Sequence, residues 1–240
     1  MSPLLLLLPL ATAASWTAPF PAGTYAMRLE TATLAKVPVL GRTRGGSISW
    51  MVGELAEDGG RAWTWRTCAV EMQVAPGKAR MGLSPAFIAA MGQKRLEAEI
   101  APAPGGWRFA LDMGEDHVGY DPRQTNRLPQ DISDPAVTDW CRDGQPAATV
   151  DLQVPMDGAV ELYVAQRAHV QLAGRTDAAT GVTQGSVQFT RFEQRTLGAS
   201  HRMFDANPEM WPDPDRSGFE LRPLPAGAGC EDVRTGFGGD

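Results

Sequence analysis

Alternation of apolar and polar residues over two neighbouring stretches constrains the fold of this chain most. One apolar face extends over 160–172 and a second over 150–156, with polar residues between the apolar ones. Asp157-Gly158 separates the two stretches and suits the positive φ angles of a tight hairpin turn. Strict period-two alternation of this length is typical of strands that bury one face. The sequence therefore predicts an antiparallel β-hairpin at this point.

Similar patterns extend the prediction to most of the chain. The runs 48–52 and 62–74 flank Asp58-Gly59-Gly60, and 96–100 and 107–111 flank Pro104-Gly105-Gly106. Further strands are predicted at 25–29, 187–192 and 219–222, which makes about nine. The 19 prolines and 26 glycines agree with many turns and few long helices.

One short helix is predicted between two of these strands. Ser84 can cap it, Pro85 suits its first position, and Gly92 can end it in the left-handed conformation. Phe87 and Ile88 would anchor the helix by packing, at one end of a barrel.

Closure of the sheet explains this pattern best. The stretches 114–146 and 201–215 lack periodicity, and the length of the first is typical of a lid, a binding loop or a linker. Two domains would each hold only four or five strands with exposed edges, whereas one closed sheet covers its edges. We therefore predict an all-β fold, a single antiparallel barrel or strongly curved sheet over residues 20–225, followed by a tail at 226–240.

The first fourteen residues have the pattern of a cleaved signal peptide. Leucines occupy positions 4–8 and 10, and Ala11-Thr12-Ala13 supplies small residues at a cleavage site. The apolar run is too short to cross a bilayer. We expect a periplasmic or secreted protein without an integral membrane span. The net charge of -6 and the sequence pI of about 5.1 argue against a nucleic-acid partner. The oligomeric state stays open.

Three cysteines allow one disulfide and leave one thiol. Cys68 lies in a strand-like run and Cys230 in the glycine-rich tail, so a bond between them would hold the C-terminus to the body. Pairing of Cys141 with either of the others stays open.

Catalytic and metal-binding patterns are weak in this sequence. Asp116 and His117 stand together in the long loop, yet no partner motif supports an acid–base pair. Asp139 and Asp143 have calcium-loop spacing, but Cys141 stands where an oxygen ligand is needed. We expect no enzyme, no cofactor and no metal.

Ligand-binding candidates come from the faces of the strands. Gln166 interrupts an apolar face, and Arg191 and Glu193 are placed by strict alternation on the face of the apolar residues 187 and 189. One interpretation is a polar patch in the mouth of a barrel that orients a ligand, and the other is a solvated strand end.

Two tryptophans are further candidates. Trp63 and Trp65 share one strand face and line either a pocket or the core.

Two resemblances concern the class of protein. The run 193–200, followed by 212–219, resembles a motif pair of secreted bacterial β-rich proteins of unassigned function. Gly23-Thr24-Tyr25 is similar to the Gly-x-Trp motif of the lipocalins, which implies a related architecture. Neither resemblance implies an activity.

These observations lead to two hypotheses about function. The first is an exported, non-enzymatic protein that binds a lipophilic or small amphipathic molecule in the mouth of a β-barrel. The second is an envelope structural or protein-interaction module with a filled interior.

Overall fold

Antiparallel strands dominate the structure, a computed structural model that describes residues 20–37, 41–56, 62–73, 80–154 and 158–238. The predicted signal peptide, the turn Asp58-Gly59-Gly60 and Asp157 lie outside the described residues. The strands are β1 (Gly23–Val37), β2 (Gly41–Leu55), β3 (Ala62–Gln73), β4 (Arg80–Leu83), β5 (Gln93–Ala103), β6 (Gly106–Val118), β7 (Ala148–Val154), β8 (Gly158–Asp177), β9 (Thr183–Ala199), β10 (Glu209–Pro212) and β11 (Gly218–Pro223). Two short helices accompany them, α1 (Pro85–Ala90) and α2 (Cys230–Val233).

Eight of the strands close into a ring. Their order is β8-β6-β5-β3-β2-β1-β11-β9, and β9 pairs with β8 again to complete the circle. The predicted all-β fold with one closed antiparallel sheet is thus confirmed, and each of the nine predicted strands is present. The pairs β2–β3, β5–β6 and β7–β8 are the three predicted hairpins.

The strand prediction was incomplete at three places. β4 and β10 contain four residues each, which is too short for alternation to be recognised. β6 continues to Val118, so residues 114–118 belong to a strand and not to the long loop. On one edge of β8, β7 pairs with the residues that precede those paired with β6, and β4 pairs with β7. On one edge of β1, β10 pairs with the residues that follow those paired with β11.

The main hydrophobic core fills one half of the ring. Residues directly opposite on neighbouring strands point to the same side of a sheet, so the pairing identifies the inward positions. Met27, Met51, Phe109, Leu172 and Val187 are inward and buried. Phe20, just before β1, packs edge-on against Trp63 with the ring centroids 5.4 Å apart, and it closes this half of the interior.

Helix α1 forms as predicted. The Ser84 hydroxyl accepts a hydrogen bond from the Phe87 backbone N–H at 3.0 Å, and Gly92 has φ of 66°. Phe87 is buried and packs against Trp140 with the ring centroids 5.0 Å apart, whereas Ile88 is only partly buried. Phe87 is therefore the main anchor of the helix.

A disulfide joins Cys68 to Cys230, which confirms the favoured pairing. It fastens α2 to the outer side of β2 and β3, where Val233 is fully buried against Val52. Cys141 is a buried free thiol. The bond is compatible with an oxidising compartment outside the cytoplasm.

The first part of the segment 119–147 lies over the outer side of β8 and β9, whereas Trp140 and Cys141 pack with Phe87 and Val164 on the inner side. Its residues Tyr120 and Leu128 form a cluster with Tyr163, Ala165 and Leu197. Among the helices of the described segments, none has the length and apolarity that crossing a membrane requires.

Candidate functional site

A β-bulge in β9 places Arg191 and Glu193 on the outside of the ring. Phe189 lies opposite Val170, but Arg191 lies opposite His169, so one extra residue is inserted in β9 at this point. One extra residue inverts the alternation of all residues that follow it. The expectation that Arg191 and Glu193 share the face of residue 189 is therefore wrong.

On the outer face, Arg191 takes part in an ion-pair network. The carboxylate of Glu115 accepts hydrogen bonds from Arg167 and, at 2.8 Å, from Nη1 of Arg191. Nε of Arg191 lies 3.9 Å from Oε1 of Glu193. The guanidinium of Arg167, followed by that of Arg191, lowers the pKa of Glu115 to about 2. Arg167 also donates to the carbonyl oxygen of Asn126, so the network fastens the 119–147 segment to the ring.

The histidines face local partners. Nε2 of His169 lies 2.6 Å from Oδ1 of Asp112, on the polar face where the alternation placed it. The backbone N–H of Gly114, with smaller contributions from Gln171 and His169, lowers the pKa of Asp112 to about 2. His117 and Asp116 are neighbours on β6 and point to opposite faces, so the structure does not bring them together as an acid–base pair.

Trp63 and Trp65 are core residues. They are 0 % and 1 % exposed, and their rings stack with centroids 5.3 Å apart. The indole N–H of each donates to no protein atom in the part of the chain that the structure describes. Buried N–H groups normally have a partner, so these two donors stand out within the interior.

Above this core, an ion pair faces the inside of the ring. Lys94 lies directly opposite Trp65, and Asp116 lies opposite Ala168, which is buried. Nζ of Lys94 is 2.5 Å from Oδ1 of Asp116 and 3.0 Å from the carbonyl oxygen of Met113. The two side chains are 28 % and 43 % exposed, so solvent reaches them.

Other polar residues lie at the same end of the interior. Gln166 faces Gln194 across β8 and β9, and the hydroxyls of Thr31 and Ser47 are 2.9 Å apart across β1 and β2. All four are partly buried and belong to the inward positions of their strands. We call this end of the interior, with Lys94, Asp116, Gln166, Gln194, Thr31 and Ser47, the polar end.

The polar end contains one predicted candidate, Gln166, and two residues that sequence reasoning missed. Lys94 stands at the start of an apolar face that continues through Leu96 and Ala98, so alternation alone places it on that face. Asp116 could not be found in this way. It follows a bulge at residues 113–114 of β6 that reverses the alternation.

Neither a metal site nor a known relative indicates the function of this chain. In the described segments, no group of three or more His, Cys, Asp or Glu side chains is arranged to hold a metal ion. Comparison with protein-family models, curated proteins and solved structures gives no match to this chain. The polar end is therefore assigned a role from its own geometry alone.

Proposed function

We propose that this chain is an exported, non-enzymatic binding protein that takes a small amphipathic molecule into the polar end of the ring. The observation that carries the proposal is the inward-facing pair Lys94–Asp116. Both side chains are partly exposed, so a molecule that enters from solvent can reach an ammonium and a carboxylate there. A solvent-accessible ion pair contributes little to stability, whereas its ammonium and its carboxylate can each bind a ligand group of opposite charge.

Apolar surface borders the polar end on two sides. The main core lies beneath it. Leu29 is buried two residues before Thr31 on β1, and Met113 is buried three residues before Asp116 on β6. Further along β6 and β8, Val118 and Val164 belong to the cluster that includes Phe87 of α1. A ligand with one charged or hydrogen-bonding group and a short apolar part matches this combination.

The filled half of the ring limits the size of the ligand. Trp63, Trp65 and Phe109 occupy the interior below the polar end and are at most 2 % exposed. A long acyl chain would have to displace these rings. The geometry therefore favours the small amphipathic class over a long lipophilic chain.

Three probes with the same eight-carbon tail test the proposal: octanoate, octylamine and octanol. Each is titrated into the full chain in a calorimeter, with Lys94→Met and Asp116→Asn as variants and Arg108→Ala, an exposed outer-face change, as the control. Binding of octanoate that is weakened by K94M, or of octylamine that is weakened by D116N, supports the proposal if R108A leaves it unchanged. No saturable binding of any probe, together with no small molecule in native mass spectra of protein purified from its source, contradicts it.

The second candidate function is a structural or protein-interaction module. The stacked, fully buried tryptophans favour it, because they show that half of the interior is packed with side chains. The same titration separates the two functions, since a packing module binds none of the three probes.

Export is part of the proposal. It is supported by the leader pattern at residues 1–14 and by the Cys68–Cys230 bond, which persists in oxidising compartments. Residue-level mass spectrometry of the native N-terminus tests it, and a chain that begins at Met1 would contradict it.

A further inference from the structure

A second candidate site lies on the outer face, where β10, β1 and β2 extend side by side. It is a surface cleft of about 450 Å³ lined by Lys36, Gly41, Arg42, Glu209 and Trp211. It differs from the polar end in facing outward, since Lys36 alternates with the inward-facing residue Ala35 of β1.

The pairing of the three strands places two cations next to each other. Lys36 lies directly opposite Arg42 on β2 and directly opposite Glu209 on β10. Like charges in direct cross-strand positions destabilise a sheet. One carboxylate faces two cations in this row, so the cleft has a surplus of positive charge in a chain whose net charge is -6.

Trp211 holds one of these cations in place. The guanidinium carbon of Arg42 lies 5.6 Å from the centroid of the Trp211 ring, within the range of a cation–π interaction. A guanidinium carries five N–H donors, and the cation–π contact itself requires no hydrogen bond from them. Among the described residues, neither Arg42 nor Lys36 forms an ion pair or a side-chain hydrogen bond.

We propose that this cleft binds a small molecule that carries a phosphate or carboxylate group beside a ring or other flat apolar part. The N–H donors of Arg42 and the ammonium of Lys36 would bind the oxyanion, because charge-assisted hydrogen bonds to both are favourable there. The half-buried indole of Trp211 leaves an apolar surface beside the anion for the ring of the ligand. Glu209 opposes the anion and sets an upper limit on its charge.

A matched control is present on the same outer face. Arg108 and Arg175 also lie directly opposite each other, on β6 and β8. Neither guanidinium lies over an aromatic ring within the described segments. Arg175 donates a hydrogen bond to the carbonyl oxygen of Pro104, whereas Arg108 makes no side-chain hydrogen bond among the described residues, so the control substitution is placed at Arg108.

The experiment is a calorimetric titration of the full chain with phenyl phosphate, inorganic phosphate and phenol. We expect phenyl phosphate to bind more tightly than either of its two parts. Arg42→Ala weakens binding by about tenfold, the usual effect of losing a hydrogen bond to a charged group. Trp211→Leu weakens it by about threefold, and Trp211→Phe by less. Glu209→Gln strengthens it by about twofold, and Arg108→Ala leaves it unchanged.

Two results would overturn the proposal. One is the absence of saturable phenyl phosphate binding to the unmodified protein at low ionic strength, where screening is weakest. The other is equal weakening by R42A and R108A, which would show attraction by surface charge in general. The circular dichroism of each variant is compared with that of the unmodified protein. If Arg42→Ala is not folded, Arg42→Gln takes its place. Failure of this site leaves the proposal for the polar end untouched, because the probes and the substituted binding residues of the two experiments are different.

Discussion

Removal of the Cys68–Cys230 bond has the largest expected effect on stability. The two cysteines are 162 residues apart, so the bond closes a loop that contains most of the sheet. In the chain-entropy account, a loop of this length restricts the unfolded chain by about 5 kcal/mol. For a domain of this size we therefore expect Tm to fall by about 10–20 °C.

The variant pair is designed so that no thiol is left to react. Cys141→Ala serves as the reference, and Cys68→Ala/Cys141→Ala/Cys230→Ala is compared with it, because Cys141 is the remaining thiol. The free energy of unfolding is measured by urea denaturation without reductant. Hydrogen exchange of the α2 amides is measured in parallel, since Val233 is fully buried and Arg234 contacts Glu71 independently of the disulfide.

The two readouts distinguish a general effect from a local one. We expect a loss of several kcal/mol with the α2 amides still protected. A loss below about 1 kcal/mol with α2 protected would refute the loop-entropy reasoning, since the crosslink would then be nearly neutral. Exposed α2 amides with an unchanged midpoint would show that the bond holds only the tail.

Three further outcomes concern the sheet and the helix. The pKa of Glu115 is lowered from 4.5 to about 2, so its ion pairs stabilise the fold above pH 4.5 and lose this contribution as the pH falls toward 2. In Glu115→Gln the free energy of unfolding should therefore depend less on pH in this range. An unchanged pH dependence would contradict the assignment. Gly53→Ala should cost about 1–3 kcal/mol in urea titrations, because a Cβ there would lie 2.4 Å from the Trp65 ring. Gly82→Ala, where a Cβ meets nothing closer than 3.9 Å, is its control, and equal effects would refute the steric argument. Ser84→Ala should lower the free energy of unfolding by about 1 kcal/mol because the α1 cap is lost. Ser84→Asp should lower it less, because aspartate also caps helices. Equal decreases in both variants would contradict capping.

Local patterns in the sequence determined most of the strands and the short helix. The alternation in 150–172 predicts β7 and β8, and their pairing has Val150 opposite Leu162. The cap at Ser84 and the left-handed Gly92 bound α1 as expected. Such features depend on residues close in sequence, so the chain itself specifies them. The Cys68–Cys230 bond joins residues 162 apart, and the sequence favoured this pairing without excluding a bond to Cys141.

Tertiary structure alone decided that Asp116, and not Arg191, reaches the interior at the polar end. Bulges in β6 and β9 each add one residue, and one residue is enough to reverse a face. Asp116 therefore turns inward and Arg191 turns outward, against the alternation of their sequences. A bulge depends on how a strand matches its neighbour, which is encoded in residues far apart in the chain.

The depth of the interior was equally undetermined by sequence. Trp63 and Trp65 satisfy the pattern of a pocket wall and of a core equally well, since both require large apolar residues at alternate positions. Closure of the ring brings Phe20 and Phe109 against them and fills that half. The sequence by itself predicted an all-β antiparallel fold, either a barrel or a strongly curved sheet, and favoured one of three possible disulfides. Only the packing of distant strands decided that its polar residues gather at one end of the interior, because burial is a property of the assembled ring.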